Sequence, residues 1–128
     1  MEGFKKNPRE VGSLIEDKAC YYLKQKGLKL LSRNFLCKQG EIDLIMQDKT
    51  DLVFVEVRYR HSDAYGDGVE SIAPYKQKRI INAAHIYLNK YKISQEVGCR
   101  FDVLAVSSAI KHHKLKIDWI QDAFQIEY

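Results

Sequence analysis

Apolar and polar positions along this chain recur with two different periods. Between residues 8 and 26 the apolar side chains Val11, Ile15, Ala19, Tyr22 and Leu23 return every three or four positions. That spacing predicts an amphipathic helix, with Asn7 as N-cap, Pro8 at the first helical position and Gly27 as the stop. Residues 28–36 read as a strand, and Cys37, Lys38 and Gln39 as a turn. The period then becomes two. Residues 41–47 and 52–59 form the arms of a hairpin whose turn is Asp48, Lys49, Thr50 and Asp51. Three strands in succession with short turns predict an antiparallel meander. Residues 61–69 carry two glycines and two aspartates and read as a loop. Ser71 is a cap candidate for a second helix, with Pro74 in its first turn and Ile80, Ala84, Tyr87, Leu88 and Tyr91 as its buried stripe. Residues 99–106 form a strand that this helix can carry across to lie parallel with an earlier one. Residues 115–120 make a short last strand at an edge. The run 111–114 reads as an exposed loop, and its two adjacent histidines would face opposite ways, which argues against a joint metal site.

Two positions break the apolar pattern. Asp43 and Glu56 are embedded among Ile, Leu, Val and Phe on the two hairpin arms. A carboxylate inside an apolar strand is costly unless a cation or a hydrogen-bond donor meets it. If Gln47 and Leu52 face each other across the turn, the same count sets Asp43 opposite Glu56, with opposed Cβ atoms about 4.5–5.5 Å apart. Alternation then puts Glu41, Asp43 and Ile45 on one face and Phe54, Glu56 and Arg58 on the matching face. Like charges at that separation repel unless a shared proton or cation holds them, and a hard divalent ion with oxygen ligands fits. Structural pairing of the two acids with Arg58, Arg33 or Arg100 is the other reading. One turn before Ala19, Glu16 flanks the buried face of the first helix, either as a solvated residue or overhanging a cleft. Lys76, four residues before Ile80, lies in line with the apolar stripe at the start of the second helix, where an ammonium must snorkel out or meet an anion.

Composition narrows the classes. The 128 residues fit one domain over 8–128 behind a loose basic arm at 1–7. No apolar run approaches a membrane span and no secretory signal is visible, so a cytoplasmic protein without a membrane partner is expected. Cys20, Cys37 and Cys99 are odd in number and widely spaced, which indicates neither a zinc ribbon nor a disulfide frame. A net charge of +4 is compatible with a polyanionic partner.

The hairpin motifs add a resemblance. Gly40-Glu41-Ile42-Asp43-Leu44-Ile45, Val53-Phe54-Val55-Glu56-Val57-Arg58-Tyr59-Arg60, Lys76, Arg100-Phe101-Asp102-Val103 and Asp122-Ala123-Phe124 resemble the bacterial YraN-like family over roughly residues 10–125. The resemblance implies an α/β, restriction-endonuclease-like core similar to Holliday-junction resolvases and other PD-(D/E)xK nucleases. Its mixed sheet would be an antiparallel meander plus a strand after a crossover helix, flanked by helices. The resemblance also implies a metal site of Asp43 and Glu56 completed by Glu16, with Mg2+ or Mn2+. The superfamily lysine two residues after the strand glutamate is Arg58 here. Arginine stays protonated and is no base, though it clamps phosphate through its planar fork. In several nuclease branches the following helix supplies the lysine, and the resemblance would then make Lys76 the replacement.

The expectation is therefore a metal-dependent endonuclease on DNA or branched nucleic acid. Asp43, Glu56, Lys76 and Arg58 are its catalytic candidates, and Arg58, Arg60, Lys76 and Lys38 its nucleic-acid contacts. Tyr59 and Tyr65 are candidates to stack or clamp. A homodimer is compatible with resolvase-like action on two-fold junctions. The alternative is a non-catalytic nucleic-acid-binding module on a nuclease-derived fold.

Overall fold

A computed structural model of the chain describes residues 8–60, 72–109 and 114–126. The Asn7 and Ser71 caps, the arm at 1–7, the 61–69 loop with Tyr65, and the paired histidines lie outside the described residues. The order of elements is α1 (Pro8–Gln25), β1 (Lys29–Cys37), β2 (Gly40–Asp48), β3 (Asp51–Arg60), α2 (Pro74–Lys90), β4 (Cys99–Ala109) and β5 (Lys114–Phe124). The five strands form one sheet in the order β1-β2-β3-β4-β5. Neighbours are antiparallel except β3 and β4, which run parallel, as a strand reached through α2 must. This is the mixed α/β sheet the sequence predicts.

Each helix covers one face. Ala19, Cys20 and Leu23 of α1 pack on Leu44, Met46, Val53, Val55 and Leu104. Ile80, Ala83, Ala84 and Tyr87 of α2 pack on Ile42, Ile45, Phe54 and Phe101 on the other side. Phe101 stacks between Phe54 and Phe124, which ties β3, β4 and β5 together. Gly27 ends α1 with φ of 98°, the left-handed conformation for which glycine is suited. Within the described residues no helix is long and apolar enough to cross a membrane.

Three details differ from the sequence reading. Tyr91 caps α2 and is 55 % exposed, so it does not belong to the buried stripe. The last strand is longer than the short segment expected, running from Lys114 to Phe124. It accommodates a bulge, with Asp122 at φ 53°, where its pairing with β4 slips between Phe101 and Val103. Finally, α2 is capped at Ala73 without a side-chain hydrogen bond, and Pro74 opens it as predicted.

Candidate active site

The β2–β3 hairpin has the register the sequence implies: Asp48 faces Asp51, Gln47 faces Leu52, and so on to Leu44 opposite Val55. The ladder stops there, one step before Asp43 and Glu56. Simple alternation fails at the same point. Leu44 belongs to the α1 side, whereas Ile42 and Ile45 both belong to the α2 side. The first strand shows the matching irregularity. Between the pairs Arg33↔Leu44 and Phe35↔Ile42, Asn34 has φ of 53°, with Arg33 reaching α1 and Phe35 packing on Tyr87 of α2. The meander is therefore kinked across β1 and β2 at the level of Asp43. At that level Asp43 Oδ2 accepts a hydrogen bond of 2.8 Å from the Val57 N–H, where the regular ladder has ended.

Glu56 keeps its place. It is buried, lies on the same side of β3 as Phe54, and meets α2. The Lys76 Nζ stands 2.6 Å from its Oε1. The lysine is about half exposed, so it reaches from solvent to a buried acid, the role its position at the head of the apolar stripe suggests. The close approach of α2 to the start of β2 depends on Gly40, where a Cβ would lie 3.1 Å from the Arg79 carbonyl oxygen.

The electrostatics single out Asp43. Burial first, then the charge of Glu56, with smaller contributions from Glu16 and Glu41, together push its carboxyl up to about 8. The Val57 N–H pulls the other way. Among the described residues no cation pairs with Asp43. Two of the arginines that were candidates to neutralise the acids are spent elsewhere. Arg33 binds Asp17 at 2.6 Å and Glu16 at 3.5 Å. Arg100 binds Asp48 and the fully buried Asp102.

Glu16 is thus near enough to act on Asp43 but is held by Arg33 of β1, a partner the sequence reading did not assign to it. The only sequence signal for that contact was an arginine in the strand that follows α1. Among the described residues no set of three or more His, Cys, Asp or Glu side chains is arranged to hold a metal. What the fold assembles is a pair of interacting carboxylates, with the third set apart in an ion pair. Arg58 and Arg60 follow Glu56 along β3, on its face by alternation, and are partly buried. Lys38 is exposed in the β1–β2 turn.

Known proteins are similar to this chain over nearly its whole length. The model of a family described as "Uncharacterised protein family UPF0102" matches residues 15–106. A UPF0102 protein of Nitrosococcus oceani is 46 % identical over 119 residues, 93 % of this chain and 94 % of the relative. One from Herminiimonas arsenicoxydans is 46 % identical over 126 residues, 95 % of each chain. One from Coxiella burnetii is 40 % identical over 120 residues, 94 % of this chain and 96 % of the relative. The matches cover the hairpin, both helices and the parallel strand, and the chain belongs to the UPF0102 family, the YraN-like group that its motifs resemble.

Proposed function

We propose that this chain is a divalent-metal-dependent endonuclease acting on DNA or branched nucleic acid, built on a restriction-endonuclease-like core. One observation carries the reading: Asp43 is held up to about 8 by burial and by anionic neighbours, beside a glutamate that a half-exposed lysine reaches. Such perturbed carboxyls cluster at functional sites. The order of parts supports the core assignment: an acid on the second strand, a glutamate on the third, and a crossover helix leading to a parallel strand.

The donor set suits Mg2+ or Mn2+. A hard cation of this kind binds through one or two carboxylates and keeps several waters, so the missing third carboxylate is no obstacle. Asp43 and Glu56 would hold it, with the Val57 carbonyl; Glu16 would join by leaving Arg33. When bound, the ion polarises a phosphoryl oxygen and makes an attacking water more acidic. To serve as a ligand Asp43 would have to give up the proton that its burial and anionic neighbours favour. Lys76, on its flexible stem, exchanges Glu56 for a phosphoryl oxygen and stabilises the charge that builds there. Arg58 clamps the phosphate but takes no proton. Arg60 and Lys38 extend the basic surface along the strand backbone of the substrate.

A cleavage assay with Mn2+ on branched, flapped and single-stranded DNA tests this. Cleavage that falls about a hundredfold or more in Asp43→Asn and in Glu56→Gln is expected. Cleavage unchanged in either variant removes the mechanism. Salt-sensitive binding without cleavage under any divalent ion would instead identify a non-catalytic binding module.

A further inference from the structure

The outer edge of β5 is a surface that the carboxylate site does not use. It is the last strand of the sheet, and among the described residues no backbone group pairs with its outer side. Its odd-numbered side chains face α1: Trp119 meets Tyr22 edge-on, and Ile117 and Trp119 pack on the α1-side core. Beyond them a groove of about 600 Å3 opens between Leu115 and Ile117 on the strand and Leu14, Tyr21 and Tyr22 on the helix. Tyr21 is 64 % exposed. On the other face Lys116 and Asp118 stand side by side, 4.0 Å apart and solvent-accessible.

We propose that a second copy of this chain docks here, adding its own β5 antiparallel about a two-fold axis at Ile117, so that one sheet runs through both copies. The register follows from the side chains. A two-fold axis perpendicular to the sheet keeps every residue on its own face, so only residues of like parity meet. Centring on Lys116 or Asp118 sets like charges against each other, and centring on Leu115 sets Lys114 against Lys116. Centring on Trp119 carries the ladder into the bulge at Asp122. Centring on Ile117 places Lys116 of each copy opposite Asp118 of the other, twice per dimer. It also places Leu115 opposite Trp119, twice, beside the groove. Charges on an edge strand ordinarily keep it from pairing; at this one register they are complementary.

Sedimentation equilibrium of the full chain tests the proposal, with circular dichroism as a check on folding, since both charged side chains are accessible. The expected result is a reversible dimer whose dissociation constant rises about tenfold or more in Lys116→Asp and in Asp118→Lys. The exchange variant Lys116→Asp/Asp118→Lys should return to near the starting value. A chain monomeric at every concentration, a dimer indifferent to the single reversals, or an exchange variant that fails to recover would each overturn it. None of these readouts depends on cleavage, so this inference and the proposed activity stand or fall separately.

Discussion

Two aspartates in this sheet have opposite fates. Asp102 on β4 is fully buried and fully answered. It takes the Arg100 Nε–H at 3.1 and 3.2 Å, the Trp119 indole N–H at 2.9 Å and the Asp122 main-chain N–H at 2.9 Å. Through these bonds it ties β4 to the bulge of β5. Asp43 on β2 is partly buried, accepts one N–H among the described residues and feels the charges of three glutamates. A buried polar group with every partner in place reinforces a fold, and one left short of partners weakens it. The contrast separates an acid that serves as scaffold from one that the fold leaves short of partners.

The largest expected effect separates the two by sign. Asp102→Asn should cost about 3 kcal/mol in urea denaturation at pH 8, because Arg100 and Trp119 lose a shared charged acceptor. Among the described residues Arg100 already has one buried guanidinium nitrogen without a partner, and its other acceptor, Asp48, is already engaged by Nη1. Asp43→Asn under the same conditions should gain about 2 kcal/mol, since a charge that the site disfavours is removed. Equal losses in the two variants would erase the distinction.

The same carboxyl fixes a pH dependence. Unfolded, Asp43 ionises near pH 4; folded, it does so near 8. Between those values the native state holds a proton that the unfolded state has released. The contribution is therefore fully present below about pH 4 and declines as pH rises towards 8, with a slope of at most about 1.4 kcal/mol per pH unit. Denaturation midpoints measured from pH 5 to 8 should show this component in the parent chain and lack it in Asp43→Asn. Millimolar Mg2+ should flatten it.

Smaller effects sharpen the picture around Lys76. Lys76→Met leaves Glu56 without its ammonium and should cost about 1 kcal/mol at neutral pH, the lysine being half solvated. Mg2+ should restore most of that loss if a cation can take the same place, and calorimetric scans with and without the ion will tell. Gly40→Ala should cost somewhat under about 1 kcal/mol, because its methyl group crowds the Arg79 carbonyl and presses on α2. The readout is a weakened response to Lys76→Met in that background; a purely additive pair would detach Gly40 from the site.

Much of this was legible beforehand. Period-two and helical spacing located every described element, and the hairpin register came from the turn alone, because a tight turn fixes which residues face each other. Lys76 was legible because four residues are about one helical turn. The kink at Asp43 was not, since alternation assumes a regular strand and nothing in Asn34 or Asp43 declares where pleating fails. The hold of Arg33 on Glu16 was not legible either, because it joins an element to a neighbour in space that no spacing rule connects. The fate of Asp102 was readable only in outline: Arg100 stands two residues away on the same face, but its indole partner comes from the neighbouring strand and its main-chain partner from a bulge.

The central claim is that Asp43 is a carboxyl kept protonated by its surroundings until a divalent cation replaces the proton. Carbon-13 NMR titration of the Asp43 side-chain carboxyl, without divalent ions and then with saturating Mg2+, tests it directly. The account predicts a midpoint near 8 that falls below about 5 when Mg2+ is added. A midpoint near 4 without the ion, or one that Mg2+ leaves where it was, would contradict it.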